Sequence, residues 1–172
     1  MIIIGYQGIG KSSLAGPALN CIDLESGNFY VDGERDPNWY RVYCQIATHL
    51  SQQGFVVFTS SHEVVRRELS QGTEPVCIIC PSPDLKEEWI AKLRKRYEES
   101  HLEKDFRALA NAQDRYVDNI GELLMSGIDT YVISDIDYKL DDIVDNIVSN
   151  MALLKQIEEE EANKVAKTAH TE

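Results

Sequence analysis

Long apolar runs are missing from this sequence, and none approaches the about 18 residues of a membrane-spanning helix, so no such helix is expected. The apolar N-terminal stretch is only Met1–Ile4 with no basic residues ahead of it, which argues against a secretory leader. Basic charge is also scarce: 17 Lys and Arg stand against 29 Asp and Glu, a net charge of −12. Such a chain repels a phosphate backbone at long range, so a phosphorylated ligand must be held by a local set of donors. Proline and glycine number only five and ten in 172 residues, and no Pro/Gly/Ser linker or internal repeat interrupts the chain. One domain of ordinary globular composition is expected, 43% apolar and 27% charged. Of four cysteines, Cys77 and Cys80 form a C-x-x-C inside the apolar run Val76–Pro81, which reads as a buried strand. Residues three apart on a strand point to opposite faces, and no second ligand pair stands at zinc spacing. Reduced, buried thiols are the reading, and with them an intracellular, cytoplasmic chain.

What the chain does have is strand and helix in alternation. Ile2–Ile4, Cys21–Leu24, Phe55–Thr59, Val76–Cys80 and Thr130–Ile133 read as strands. Helices are predicted over Lys11–Ala15 (stopped by Gly16-Pro17), from an Asp36-Pro37 start to about Gln52, and over Glu63–Leu69, Leu85–Glu99, Lys104–Met125 and Leu140–Glu161. Uninterrupted apolar strands between helices imply an α/β fold, a three-layer open parallel five-stranded sheet with helices on both faces. The organisation expected is one domain over residues 1–157, then a charged helix end and flexible tail over 158–172.

The chemistry-bearing motif is Gly5-Tyr-Gln-Gly-Ile-Gly10-Lys11-Ser12, which satisfies G-x-x-x-x-G-K-[ST], the P-loop. Glycines let the backbone curl so that successive N–H groups aim at a phosphate. Lys11 reaches the β- and γ-phosphates, and the Ser12 hydroxyl ligates magnesium. The motif follows a strand and opens a helix, the context it requires. Nucleotide contacts are expected from Gly5, Gly8, Ile9, Gly10, Lys11, Ser12 and Ser13, with ATP and Mg2+ as cofactors. No N-K-x-D string is present, as a GTPase would need, and the third strand ends in Thr59-Ser60-Ser61-His62 rather than Asp-Glu.

The chain is similar to P-loop kinases of the nucleoside-monophosphate, shikimate and gluconate kinase type over roughly residues 1–150. That resemblance implies a sheet of order 2-3-1-4-5 and an acid at the end of the second strand, matched by Ile22-Asp23-Leu24-Glu25-Ser26. It also implies an arginine on the helix after the third strand, matched by Arg66-Arg67 behind Thr59-Ser60-Ser61. A lid patterned R-L-x-x-R is approached by Lys92-Leu93-Arg94-Lys95-Arg96, with lysine in the first place and the lid region over about 85–102. The loop Ser134–Lys139 falls where such kinases contact the nucleotide base. The stretch Asp23–Phe29 resembles small divergent members encoded by bacteriophages, which would place the protein in the host cytoplasm.

Individual residues then take expected roles. Asp23 would orient the acceptor hydroxyl and help hold magnesium with Ser12. Lys11, Asp23 and Arg96 form the catalytic set, and Lys92 and Arg96, four apart on one helix face, reach the nucleotide phosphates. Asp23, Glu25, Ser60 and Arg66 would meet the acceptor; adjacent Arg66 and Arg67 lie about 100° apart, so only one faces it. Phe29, Tyr30, Trp39, Tyr40 and Tyr43 cluster after the second strand as a base-stacking surface, while the spacing of 39, 40 and 43 is equally that of a buried helix stripe. The function predicted is Mg-assisted phosphoryl transfer from ATP to a small acceptor, a nucleotide or nucleoside first, by a monomer or homodimer that touches no membrane. A kinase acting on a nucleic acid end or modified base, and a regulatory ATP-binding module without transfer, are the alternatives.

Overall fold

The computed structural model describes residues 1–16 and 20–169, with side chains through 162. The chain divides into one compact unit over Met1–Tyr138 and a second beginning at Lys139. In the first unit, β1 (Ile2–Gly5), β2 (Cys21–Asp23), β5 (Val56–Ser60), β6 (Val76–Pro81) and β7 (Thr130–Ile133) form a five-stranded sheet. All of its pairings are parallel. The intervening strands β3 (Tyr30–Val31) and β4 (Glu34–Arg35) make a separate antiparallel ribbon.

Along the large sheet the strands stand β2-β5-β1-β6-β7. The expected numbering counted five strands, whereas the chain makes seven; counted among themselves, the five stand second, third, first, fourth, fifth. Ile2, Ile3 and Ile4 are all fully buried. Successive strand residues point to opposite faces, so both faces of β1 are covered. The apolar β-branched runs are therefore where the core sits. Helices α2 (Trp39–Gln52) and α5 (Glu103–Leu124) lie against the sheet, on β5 and β1 and on β6 respectively. Helix α3 (Glu63–Ser70) packs on α2, and α4 (Lys86–Ser100) packs on α5, which bends at Arg115, where φ is −135°.

Two local expectations need correction. Asp36-Pro37 does not start a helix: Asp36 Oδ1 accepts from Asn38 N at 2.6 Å in an Asx turn, and α2 begins at Trp39. The ribbon was not foreseen either, although Asp32-Gly33 is a strong hairpin dipeptide. Both residues have positive φ, 52° and 82°, as a type I′ turn requires. Short helix α1 (Lys11–Leu14) ends with extended Ala15, and Gly16 bridges to Cys21; Pro17 of the expected stop lies outside the described residues.

The second unit is α6 (Leu140–Ala169), eight residues longer than the helix expected to end at Glu161. Its Glu-, Ala- and Lys-rich end has high helix propensity without an apolar stripe. Residues 170–172, the end of the expected tail, lie outside the described residues. Among the described residues no helix is long and apolar enough to cross a membrane.

Candidate functional site

Parallel strands bring their carboxyl ends to one edge of the sheet, where open α/β folds place their ligands. At that edge β1 runs into the glycine loop, β2 ends at Asp23, and β5 ends at Ser60, which pairs in register with Gly5. Gly8 and Gly10 take φ of 85° and 98°, the left-handed region open to glycine. A Cβ on Gly8 would also meet Leu93 Cδ2 at 2.8 Å. The loop curls back so that Lys11 Nζ donates to Gly5 O at 3.0 Å and to Tyr6 O at 3.2 Å. Ser12 Oγ donates to Asp23 Oδ2 at 2.7 Å. Ser13 follows with an exposed side chain.

The loop's carbonyls are held from behind. Trp89 Nε1 donates to Gln7 O at 3.0 Å, and the Tyr138 hydroxyl donates to Ile9 O at 2.8 Å. With those carbonyls turned into the protein, the backbone N–H groups of Gly8, Gly10 and Lys11 donate to no described residue, while Gln7 and Gly8 form a tight turn. Unpaired N–H groups converging in a loop make a concavity suited to an anion. Lys11 is only partly exposed, and burial lowers its pKa below the usual lysine range; Asp23 and Glu25 act against this, while Arg96 adds to it. Two cations, Lys11 and Arg96, and the carboxylates of Asp23 and Glu25 therefore feel one another across this edge.

The cations expected on the lid are dealt out in several directions around α4. Lys92 is not aimed outward: its ammonium lies 4.6 Å from the Trp89 ring centroid and 4.5 Å from that of Tyr138, and it donates to the Tyr138 hydroxyl at 3.1 Å. Burial lowers its pKa. Arg94 and Lys95 are exposed. Arg96 is half-exposed and ion-paired at 2.6 Å with buried Asp105, which also accepts from Ser100 Oγ. Glu25 is engaged as a cap, accepting from Gly27 N at 3.2 Å ahead of the 3-10 turn Ser26–Phe29.

On the far side of Asp23 the chain builds a second group. Ser60 Oγ is bonded to His62 Nδ1 at 2.9 Å, and Ser60 N donates to the Tyr43 hydroxyl. Tyr43 in turn donates to Leu24 O at 2.7 Å. Of the two adjacent arginines, Arg66 is the buried one, donating to Ser61 O at 2.6 Å and lying 3.6 Å from Glu122 Oε2; Arg67 is exposed. Trp39 and Tyr43 are core, packed edge-on at 5.2 Å with Phe29 against both, so the buried-stripe reading describes Trp39 and Tyr43, with Tyr40 half-buried beside them. His62 sits edge-on to Trp39, and burial, Arg35 and Arg66 all lower its pKa. Arg35, Asp105 and Tyr138 were missed by sequence reasoning. Only Asp32-Gly33, by announcing the hairpin, could have drawn attention to Arg35.

All four cysteines are buried, and burial pushes the thiols of Cys77 and Cys80 up to about 12 and about 11. Thiols so protonated are poor nucleophiles and metal ligands. Comparison with known protein families and with curated proteins finds no match to the chain.

Proposed function

We propose that this chain is a P-loop phosphotransferase that moves the γ-phosphoryl group of ATP to a small hydroxyl-bearing acceptor, a nucleotide or nucleoside first among the candidates. The order of the five large-sheet strands supports the P-loop NTPase fold. The carrying observation is the glycine loop itself. The N–H groups of Gly8, Gly10 and Lys11 have no partner among the described residues, Lys11 is curled into the loop, and Ser12 is bonded to Asp23.

In this reading the N–H groups of Gly8, Gly10 and Lys11 and the Lys11 ammonium hold the terminal phosphates. Ser12 and Asp23 fit a magnesium ion, which takes one or two carboxylates, a hydroxyl and phosphate oxygens rather than an all-protein cage. Bound there, the metal supplies neutralisation of phosphate charge. Asp23 orients the acceptor hydroxyl and accepts its proton; a bond forms from that oxygen to the γ-phosphorus as the bond to the β,γ-bridging oxygen breaks, and ADP leaves. Arg96 adds positive charge on the lid side, while Glu25, Ser60 and Arg66 border the acceptor. Catalysis of this kind is positioning and electrostatics rather than covalent chemistry. Nucleosides, nucleoside monophosphates and sugar acids, each incubated with γ-labelled ATP, test the reading. Transfer to one class is expected; intact ATP binding with transfer to none overturns it.

A further inference from the structure

Two carbonyls of the glycine loop are gripped by ring side chains, and each belongs to the peptide that leads into a left-handed glycine. Trp89 Nε1 donates to Gln7 O, whose peptide continues into Gly8 N. The Tyr138 hydroxyl donates to Ile9 O, whose peptide continues into Gly10 N. A trans peptide is planar, with its C=O and N–H pointing opposite ways. Anchoring Gln7 O and Ile9 O therefore turns the N–H groups of Gly8 and Gly10 away from the two rings, and neither donates to a described residue.

The loop's own residues do not secure that orientation. Gln7 and Gly8 are the central pair of a tight turn, and Gly8 has the positive φ, 85°. Positive φ at the second central residue is the type II form; type I reverses the peptide between the two central residues. Glycine takes φ of either sign at similar cost, so Gly8 and Gly10 both permit a reversal. A reversed peptide would face a bound phosphate with a carbonyl oxygen in place of an N–H. The two gripping rings support each other, stacked at 6.0 Å with an interplanar angle of 11°. Lys92 lies over both and donates to the Tyr138 hydroxyl. A hydroxyl that accepts from a cation is the stronger donor for it, so Lys92 reinforces the bond to Ile9 O.

We propose that Trp89 and Tyr138 are positioning residues that lock the Gln7–Gly8 and Ile9–Gly10 peptides with their N–H groups toward the phosphates, and that Lys92 acts through Tyr138 rather than on phosphate. The use of those N–H groups for phosphate rests on the reading above; the two peptide orientations do not.

Tyr138→Phe removes the hydroxyl and keeps the ring. The full chain, labelled with ¹⁵N-glycine, is titrated with magnesium tripolyphosphate, which carries the phosphates of ATP without base or sugar. In the wild-type chain the Gly8 and Gly10 amides should move saturably. In Tyr138→Phe the affinity should be at least about tenfold weaker. The Gly10 amide should also be displaced before any ligand is added, while Gly33 and Gly54 stay in place. A lowered melting temperature with wild-type affinity for tripolyphosphate makes Tyr138 a packing residue and overturns the proposal. Weaker ATP binding with unchanged tripolyphosphate binding makes it a base contact and overturns the proposal equally. Lys92→Met serves as second variant: alone it should weaken tripolyphosphate less than Tyr138→Phe does, and added to Tyr138→Phe it should cost nothing further. A further loss in the double variant overturns the role given to Lys92. Wild-type binding through Gly8 and Gly10, lost in Tyr138→Phe, but with no transfer from ATP to any acceptor, removes the transfer reading and leaves the lock standing. Tripolyphosphate that moves neither glycine overturns both.

Discussion

Lys11 carries the sharpest test at the scale of single residues. Its charge is held in a half-buried loop, which lowers its pKa below the usual 10.5. A lysine so shifted destabilises the folded chain most at pH values below its folded pKa, and the penalty fades as pH rises to 10.5. Lys11→Met is therefore expected to raise the melting temperature at pH 7, with the gain shrinking toward pH 10.5; a loss of stability at pH 7 would contradict this. The same variant should abolish transfer, by at least about a hundredfold, because the developing γ-phosphoryl charge loses its nearest fixed cation. Near-normal transfer would remove the loop from the mechanism altogether. Asp23→Asn keeps an oxygen to accept from Ser12, so little change in fold is expected. Without the negative charge, turnover should fall about 10²–10⁴-fold while ATP affinity changes little, which separate kcat and binding measurements resolve.

Elements decide what Arg96 does. From R-L-x-x-R spacing alone Arg96 is a phosphate ligand, yet here it also ties α4 to α5 through an Asp105 that is 3% exposed. Removing the cation strands that carboxylate. Arg96→Ala is thus expected to lower stability as well as turnover, by about 1–3 kcal/mol after allowing for the arginine's own exposure. Adding Asp105→Asn should recover most of the stability and none of the turnover. Thermal melts of both single variants and the double variant measure the first effect, and assays the second. If the double variant melts no higher than Arg96→Ala, the pair is not what joins the helices. Lys92 makes a similar point. Its place in the motif suggests phosphate contact, but Trp89 and Tyr138, 49 residues apart in sequence, enclose its ammonium. Helical spacing places a residue on a face; what that face meets depends on other elements.

Over the whole molecule, charge constrains which partners can approach. With a net charge of −12, and the cations expected on the lid divided between an aromatic clamp, solvent and Asp105, no basic track for a strand forms on α4. Gel-shift titration with short single-stranded DNA and RNA at low salt should give no saturable band; a saturable one would revive the nucleic-acid acceptor. The sheet strands were legible in the chain because uninterrupted β-branched runs can only be buried on both faces, and Ile2–Ile4 and Val76–Cys80 are such runs. The glycine loop was legible for a related reason: its conformation is local, set by Gly8 and Gly10 and the lysine after them. Asp23 was singled out by its place at a strand end, and there Ser12 of the helix after the loop donates to it. Arg35, Asp105 and Tyr138 were not, because their partners come from a hairpin, a following helix and a loop 129 residues beyond Ile9. Local backbone chemistry and strand burial are written in contiguous residues, whereas the partner of a long polar side chain is chosen only when distant segments close around it.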